Sequence, residues 1–579
     1  MLKIYQFIKS ICTICGVLMI ISGIGSGIFY WYNNRVSHIS EHTMLMIDFS
    51  HNYGEAQTDN LLNELMERQT LPLQHLIEAI EMAAADKRID GIVARLDVSD
   101  LEPAQIQDVA RAISIFRKSG KQTIVFSQGF GPFGQGNREY YLASFFDKIY
   151  MQPHTTIGLT GISLELPFAR ETLNKIGVYP EFYTRYEHKT AMMNFTDTNM
   201  PALYKADMER LGNSLMQEFK QGIVKNRALT EDIDVIINKA PLSAEEGLKL
   251  NLIDEILYLP QLDKKLRDTG IKGFMNIENY AEHISPNKGN LPVVAVLNLN
   301  GIIDSGENST DIDGEFTVGS RDILADISEI ADMENLKAVV VRINSPGGSY
   351  NAADEIYFAL KDLKAQKNIP IIVSQSGYAA SGGYFISLAG DKIYAEPTTI
   401  TGSIGVLGGK FVLQKLWQKI GVNWADIKIG QNAGILSMNQ PFSAKERQIF
   451  NKSLDEVYRD FTTKVVENRP LTENIDKIAR GRVWSGRDAL ALGLVDALGN
   501  LEDAVLHAKQ EGGIEDGQKY TIVTFPREKN FSEKLRELLL SGNVQIYDGL
   551  KKSGVDIRYL KLFKRLQYDT VLLPFELNI

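Results

Sequence analysis

Histidine, cysteine and surplus basic charge are all scarce in this chain. It has 8 histidines, 2 cysteines, and 62 lysines and arginines against 72 aspartates and glutamates, for a net charge of −10. That balance excludes a general nucleic-acid binder, which needs basic excess to neutralise phosphates. Both cysteines, Cys12 and Cys15, lie in one apolar run, so the remainder can form no disulfide. Their C-x-x-C spacing lacks partner ligands and reads as packing inside that run. No H-E-x-x-H helix and no G-x-x-x-x-G-K-[ST] loop occurs, so neither a metal nor a nucleotide cofactor is expected. The histidines make no spaced cluster, and only His507 falls in the C-terminal half.

Charge is also missing between Lys9 and Arg35. That stretch, "SICTICGVLMIISGIGSGIFYWYNN", is long enough to cross a bilayer as a helix. It ends in an aromatic "FYWY" suited to the membrane interface. Lys3 and Lys9 precede it, which puts the N-terminus in the cytoplasm and the bulk on the other side. Residues 1–40 are therefore expected to be a cytoplasmic start and a transmembrane anchor.

What is present is said twice. "DKIYMQPHTTIGLTG" begins at Asp147 and "DKIYAEPTTITGSIG" at Asp391. "VKNRALTEDID" from Val224 is answered by "VENRPLTENID" from Val466, "DGIVARLDVS" from Asp90 by "LKAVVVRINS" from Leu336, and "GLKLNLIDEI" from Gly247 by "ALALGLVDAL" from Ala489. Four matches in one order, at nearly one offset, mark a tandem duplication. The expected units are 41–288 and 289–545, followed by a basic amphipathic tail, 546–579. In both units apolar β-rich runs ("GIVARLDV", "QTIVFSQ", "KAVVVRI", "IPIIVSQ") alternate with amphipathic runs such as "DEIYFALKDLKAQ". Such alternation predicts an α/β fold of parallel β–α–β units. A long helix is expected from Ser443 as N-cap, with a counterpart beginning near Pro201.

The repeats differ where chemistry is expected. Aligning the two "DKIY" tetrads lays "SGGYFISLAGDKIY" over "NREYYLASFFDKIY", so Ser381 falls on Asn137. The N-terminal half also lacks a match for "NSPGGS" (344–349). Glycines at strand-to-helix turns allow unusual backbone angles and let N–H groups face an anion. "AASGG" places Ser381 at such a turn, close to a nucleophile elbow but with Ala379 at its first position. Gly347, Gly348 and Gly382 are then candidate oxyanion donors for a nucleophilic Ser381.

A serine nucleophile needs a base, histidine or lysine. The N-terminal half contains "YTRYEHKTAMMNF", with Lys189 among small and apolar residues; its counterpart lies at or near Ala433. One half keeps a serine and the other a lysine, which suggests a composite site. Met192, Met193 and Phe195 are candidates to bury the amine and keep it neutral. Arg185 and Glu187 are assigned no role. Ser403, in "TGSIG", follows Ser381 by one strand and turn, with Gly161 or Ile162 expected opposite it in the other repeat.

"INSPGGS", "YAASGGYFIS" and "PTTITGSIGV" resemble the signal peptide peptidase A family, in its long, duplicated, membrane-anchored bacterial type. "YEHKTA" only approximates that family's tyrosine–lysine–serine–alanine pattern, departing at His188 and Thr190. The resemblance implies a tandem duplication of a Clp protease/crotonase-like β-α-β superhelix domain, preceded by one N-terminal transmembrane helix. It implies Ser381 as nucleophile, Lys189 as general base, Gly348, Gly347 and Gly382 as the oxyanion hole, and Ser403 as the residue that orients the lysine. It further implies peptide substrates such as cleaved signal peptides or unfolded exported chains, a homotetramer, and a single-pass protein of the bacterial inner membrane with its bulk on the periplasmic side. Two rivals remain: a crotonase-like acyl-thioester enzyme with no need of Ser381, and a catalytically dead scaffold in which Ser381 and Lys189 stand apart.

Overall fold

The computed structural model describes residues 39–55, 71–131, 134–282, 291–310, 316–527 and 570–571. The expected anchor, the boundary at 288/289 and nearly all of the tail lie outside these residues. Among the described residues no helix is long and apolar enough to cross a membrane.

The N-terminal repeat supplies strands β1 (Thr43–Asp48), β2 (Ile89–Arg95), β3 (Gln122–Ser127), β4 (Lys148–Met151), β5 (Tyr179–Arg185), β6 (Glu255–Ile256) and β7 (Gly273–Asn276). Except for β5 they form one sheet in the order β6-β4-β3-β2-β1-β7, every pair parallel. The C-terminal repeat supplies β8 (Val293–Asn300), β9 (Leu336–Ser345), β10 (Gly348–Ser349), β11 (Ile371–Ala380), β12 (Lys392–Ala395), β13 (Ile400–Gly402), β14 (Val406–Val412), β15 (Val483–Ser485), β16 (Ala497–Leu498) and β17 (Thr521–Phe525). Its sheet repeats the first order as β16-β12-β11-β9-β8-β17, again all parallel. The duplication is thus one of topology as well as sequence. At the far end of β11 the second sheet adds β13 and, antiparallel to it, β15.

Residues alternate across each sheet because successive side chains of a strand point to opposite faces. On β9, Val339, Val341 and Ile343 enter one core while Ala338 and Val340 enter another. Both faces are covered, which is why "KAVVVRI" reads as a continuous apolar run rather than an alternating one. The helices follow the expected pattern: α1 (Leu73–Ala85), α2 (Pro103–Lys118), α3 (Asn137–Ala143), α4 (Ala202–Asn226), α5 (Tyr350–Lys367), α6 (Gly382–Ser387), α7 (Ala444–Asn468) and α8 (Leu501–Glu511). Ser443 caps α7: its Oγ accepts from Glu446 N at 3.2 Å, and Glu446 returns the bond to Ser443 N at 2.8 Å. Such a cap contributes about 1 kcal/mol. The counterpart of α7 is α4, which follows Pro201.

Among the contacts that join the repeats, two stand out. Strand β5 leaves its own sheet and pairs antiparallel with β14, Arg185 opposite Val406 and Tyr179 opposite Val412. The second is a buried ionic cluster around Arg342 on β9. Its guanidinium donates to Glu55 (2.8 and 3.0 Å) and Asp108 (2.6 Å) of the N-terminal repeat, and to Ser374 (2.9 Å) and Ser376 (3.0 Å) of β11. Arg342 is 2 % exposed, so every donor needs a partner inside the protein. Carboxylates outnumber the guanidinium here. Burial, and then the charge of Glu55, push Glu102 up to about 7. Burial and then Asp108 hold Glu396 well above the usual carboxylate range.

Candidate active site

Lys189 and Ser381 are brought together. Lys189 Nζ lies 2.7 Å from Ser381 Oγ, 3.0 Å from Ser403 Oγ and 3.1 Å from Ser403 O. All three residues are buried. The strand exchange explains how. Ser403 stands three residues before β14 and Lys189 four residues after β5, so the Arg185–Val406 register brings the two together.

Ser381 is the N-cap of α6 and ends β11 at a sharp turn, with φ 57° and ψ −113°. Its own N–H donates to Gly402 O at 2.8 Å. Ser403 also has positive φ, 51°. Two non-glycine residues in this sparsely populated region, side by side, mark backbone held by its surroundings.

The glycines close round the serine. A Cβ on Gly382 would come within 3.3 Å of Gly348 N, so those two backbone segments are adjacent. A Cβ on Gly348 would sit 1.9 Å from Ile303 O, which leaves no room for any other residue type. Gly347 has φ 109°, and its N–H already donates to Ser345 Oγ at 3.1 Å. Of the three expected oxyanion donors, Gly347 thus has its N–H engaged by Ser345 Oγ. The other edge of β10 is paired antiparallel by Thr570–Val571.

Burial alone holds the Lys189 amine well below its usual value. No carboxylate among the described residues touches Nζ to oppose that. Met192 and Met193 are buried nearby, Met192 with Leu407 and Phe411. Arg185 is tied to Asp455 and Asn451 of α7. Glu187 pairs with Arg480 at 2.7 Å, and that hydrogen bond pushes its carboxyl down to about 2.

Sequence reasoning missed the segment that holds the lysine loop. Arg480 O accepts from His188 N (3.2 Å), Gly481 N donates to Ile404 O (2.8 Å), and Arg482 O accepts from Ser403 N (2.7 Å). Gly481, at φ 95°, passes so close that a Cβ would meet Lys189 N at 2.3 Å. Nothing in "ARGRVW" beyond its glycine signals this. The frame that lays Asn137 on Ser381 lays buried Leu159 on Ser403, correcting the Gly161 or Ile162 expected there. Gly161 instead bonds Asn137, whose Nδ2 donates to Gly161 O (2.8 Å) and whose Oδ1 accepts from Gly161 N (3.1 Å).

Fold and site together define a serine peptidase of mixed α/β architecture. The model of peptidase family S49 matches the chain twice, at residues 116–270 and 363–515, and the Clp protease model matches residues 312–401. The chain is 32% identical to "Protease 4" of Salmonella typhi over 75% of its length and 71% of that protein's. It is 29% identical to "Serine protease SPPA, chloroplastic" of Arabidopsis thaliana, over 79% of this chain and 68% of that one. To "Putative signal peptide peptidase SppA" of Enterococcus faecium it is 30% identical, over 48% and 78%. The chain belongs to peptidase family S49.

Proposed function

We propose that the protein is a membrane-tethered endopeptidase that cuts hydrophobic, extended peptides with a Ser381–Lys189 dyad. The observation that carries this reading is the buried 2.7 Å contact between Lys189 Nζ and Ser381 Oγ. It favours a working enzyme over a decayed scaffold, which would hold the two apart.

In this mechanism Lys189 acts as a neutral amine. Its two hydrogens go to Ser403 O and Ser403 Oγ, and its lone pair faces the Ser381 hydroxyl. Ser403 thereby orients the lysine. Ser381 Oγ attacks the scissile carbonyl as Lys189 takes its proton. Gly348 and Gly382 N–H groups stabilise the oxyanion, where each donor is typically worth about 3–4 kcal/mol of barrier. The lysine ammonium then protonates the leaving amine, and water repeats the cycle on the acyl-enzyme. Neither a metal nor a cofactor takes part in these steps. Protein names among the relatives that mention signal peptides support remnants of signal peptides as substrates. The uncharged 10–34 stretch supports single-pass anchoring in a bacterial inner membrane with the catalytic bulk outside the cytoplasm. A homotetramer is the assembly proposed.

The test is cleavage of casein and of a lipophilic reporter peptide by wild type, Ser381→Ala and Lys189→Ala. Both variants are expected to lose activity, and full activity in either removes that residue from the mechanism. For the wild type, kcat/KM should rise with pH through an inflection well below 10.5, because only the deprotonated amine can accept the serine proton.

A further inference from the structure

His188 is buried beside Lys189, and its Nδ1 is 2.5 Å from Asp207 Oδ2 on α4. Its Nε2 faces Glu187 at 3.7 Å. One turn along α4, Arg210 lies 3.6 Å from Asp207 Oδ1, donates to Val483 O at 2.7 Å and reaches Asp488 at 3.4 Å. The Arg210 guanidinium also lies over the Trp484 ring, 3.9 Å from its centroid. Val483 and Trp484 belong to β15, which pairs with β13 so that Val483 stands opposite Gly402. Gly402 accepts from Ser381 N and leads directly into Ser403. A closed path therefore runs from Lys189 through His188, Asp207, Arg210, Val483 and Gly402 to Ser403, and back to Lys189 by the amine's own hydrogen bonds.

We infer that His188, Asp207 and Arg210 form a positioning relay that fixes the lysine-bearing loop of one repeat against the serine-bearing turn of the other. The inference rests on the proposed dyad and adds to it three residues that touch no reacting atom. The amine hangs on a long, flexible side chain, so its placement depends on where its backbone is clamped. Backbone hydrogen bonds clamp one side of the loop, through Arg480. The relay clamps the other, and it is anchored on the element that sets Gly402 and Ser403. A loop displaced by about 1 Å can cost on the order of 100-fold in rate.

The test uses the full chain with casein and with a fluorophosphonate that labels Ser381. Asp207→Asn and His188→Leu are each expected to lower kcat about 10-fold or more with KM unchanged. Each should also move the inflection of kcat/KM to higher pH, because a looser loop lets water reach the Lys189 amine. Asp207→Glu should recover part of the rate. Glu218→Gln is the control: Glu218 also lies on α4 and pairs across the repeats with Arg487, but leads to neither Lys189 nor Ser403. It should leave the pH inflection in place. Thermal unfolding of each variant shows whether it is folded. If Asp207→Asn and His188→Leu are folded and keep wild-type kcat and inflection while Lys189→Ala is dead, the relay is overturned and the dyad stands. If Lys189→Ala is active, the dyad itself has failed. If Glu218→Gln shifts the inflection as far as Asp207→Asn does, the effect belongs to the seam in general and the relay is again overturned.

Discussion

The same turn occurs twice in this protein, and the two copies do opposite things with their polar side chain. In the N-terminal repeat, Asn137 spends both ends of its amide on the backbone of Gly161. In the C-terminal repeat, the Ser381 hydroxyl makes no bond to its own loop and meets an amine from the other repeat. The neighbour of each differs accordingly: Leu159 after Gly158, Ser403 after Gly402. One turn is tied to its own backbone, while the other, under backbone strain, leaves its hydroxyl to Lys189. A duplicated scaffold can thus keep its topology in both copies while one copy supplies the serine and the other the lysine.

Making the catalytic turn resemble its sister should have the largest effect. Ser381→Asn is expected to abolish casein cleavage, a loss of about 10³-fold or more, while leaving the chain folded. The reverse change, Asn137→Ser in a Ser381→Ala background, should restore nothing, because Lys189 stands at Ser381 and Ser403 instead. Measurable turnover there would break the comparison.

The seam comes next. Arg342→Ala leaves Glu55 and Asp108 buried without their cation and should cost about 3–5 kcal/mol in denaturant unfolding. A cost below 1 kcal/mol would mean that β5–β14 and the other contacts across the seam hold the two repeats without it.

Glu102 sharpens the seam further through pH. Folded, it keeps its proton up to about 7. Unfolded, it releases it near 4.5, so the folded state holds more protons between those values and stability falls as pH rises through that window. Glu102→Gln should therefore gain on wild type from pH 4.5 to 7 and then level off, by up to about 3 kcal/mol. An equal difference between the two at pH 4 and pH 8 would show that Glu102 does not carry this proton.

The smallest effect is expected at the silent turn. Asn137→Ala removes two part-buried hydrogen bonds and should cost about 1–3 kcal/mol of stability, with peptidase kinetics unchanged in the folded protein. A drop in kcat would mean that the N-terminal turn is still coupled to catalysis.

Much of the architecture was legible without coordinates. The four paired motifs announced two like sheets, because equal sequence patterns fold to equal strand orders. The β-rich runs became β2, β3, β9 and β11, and Ser443 began α7 as the serine N-cap implied. Ser381, Lys189 and Ser403 stood out by their absence from one repeat or the other. The Arg342 cluster did not, because its four partners, Glu55, Asp108, Ser374 and Ser376, come from three separate segments and no local spacing relates them. His188 was passed over for the same reason: its partner Asp207 lies on a helix, outside any motif. The bond from the Gly347 N–H to Ser345 Oγ was not legible either, since periodicity does not carry it.

By itself, then, the sequence determined the duplication, the alternation of strands and helices, and the division of a serine and a lysine between the halves. These are local or repeated patterns, and each residue's neighbours along the chain are enough to set them. Only the tertiary structure decided that the lysine reaches the serine. That depends on β5 crossing to β14 in one register, with Arg185 on Val406, and a slip of one residue would turn the side chains of β5 to the opposite face. Such a register is set by packing between distant segments, and no stretch of either repeat holds it alone.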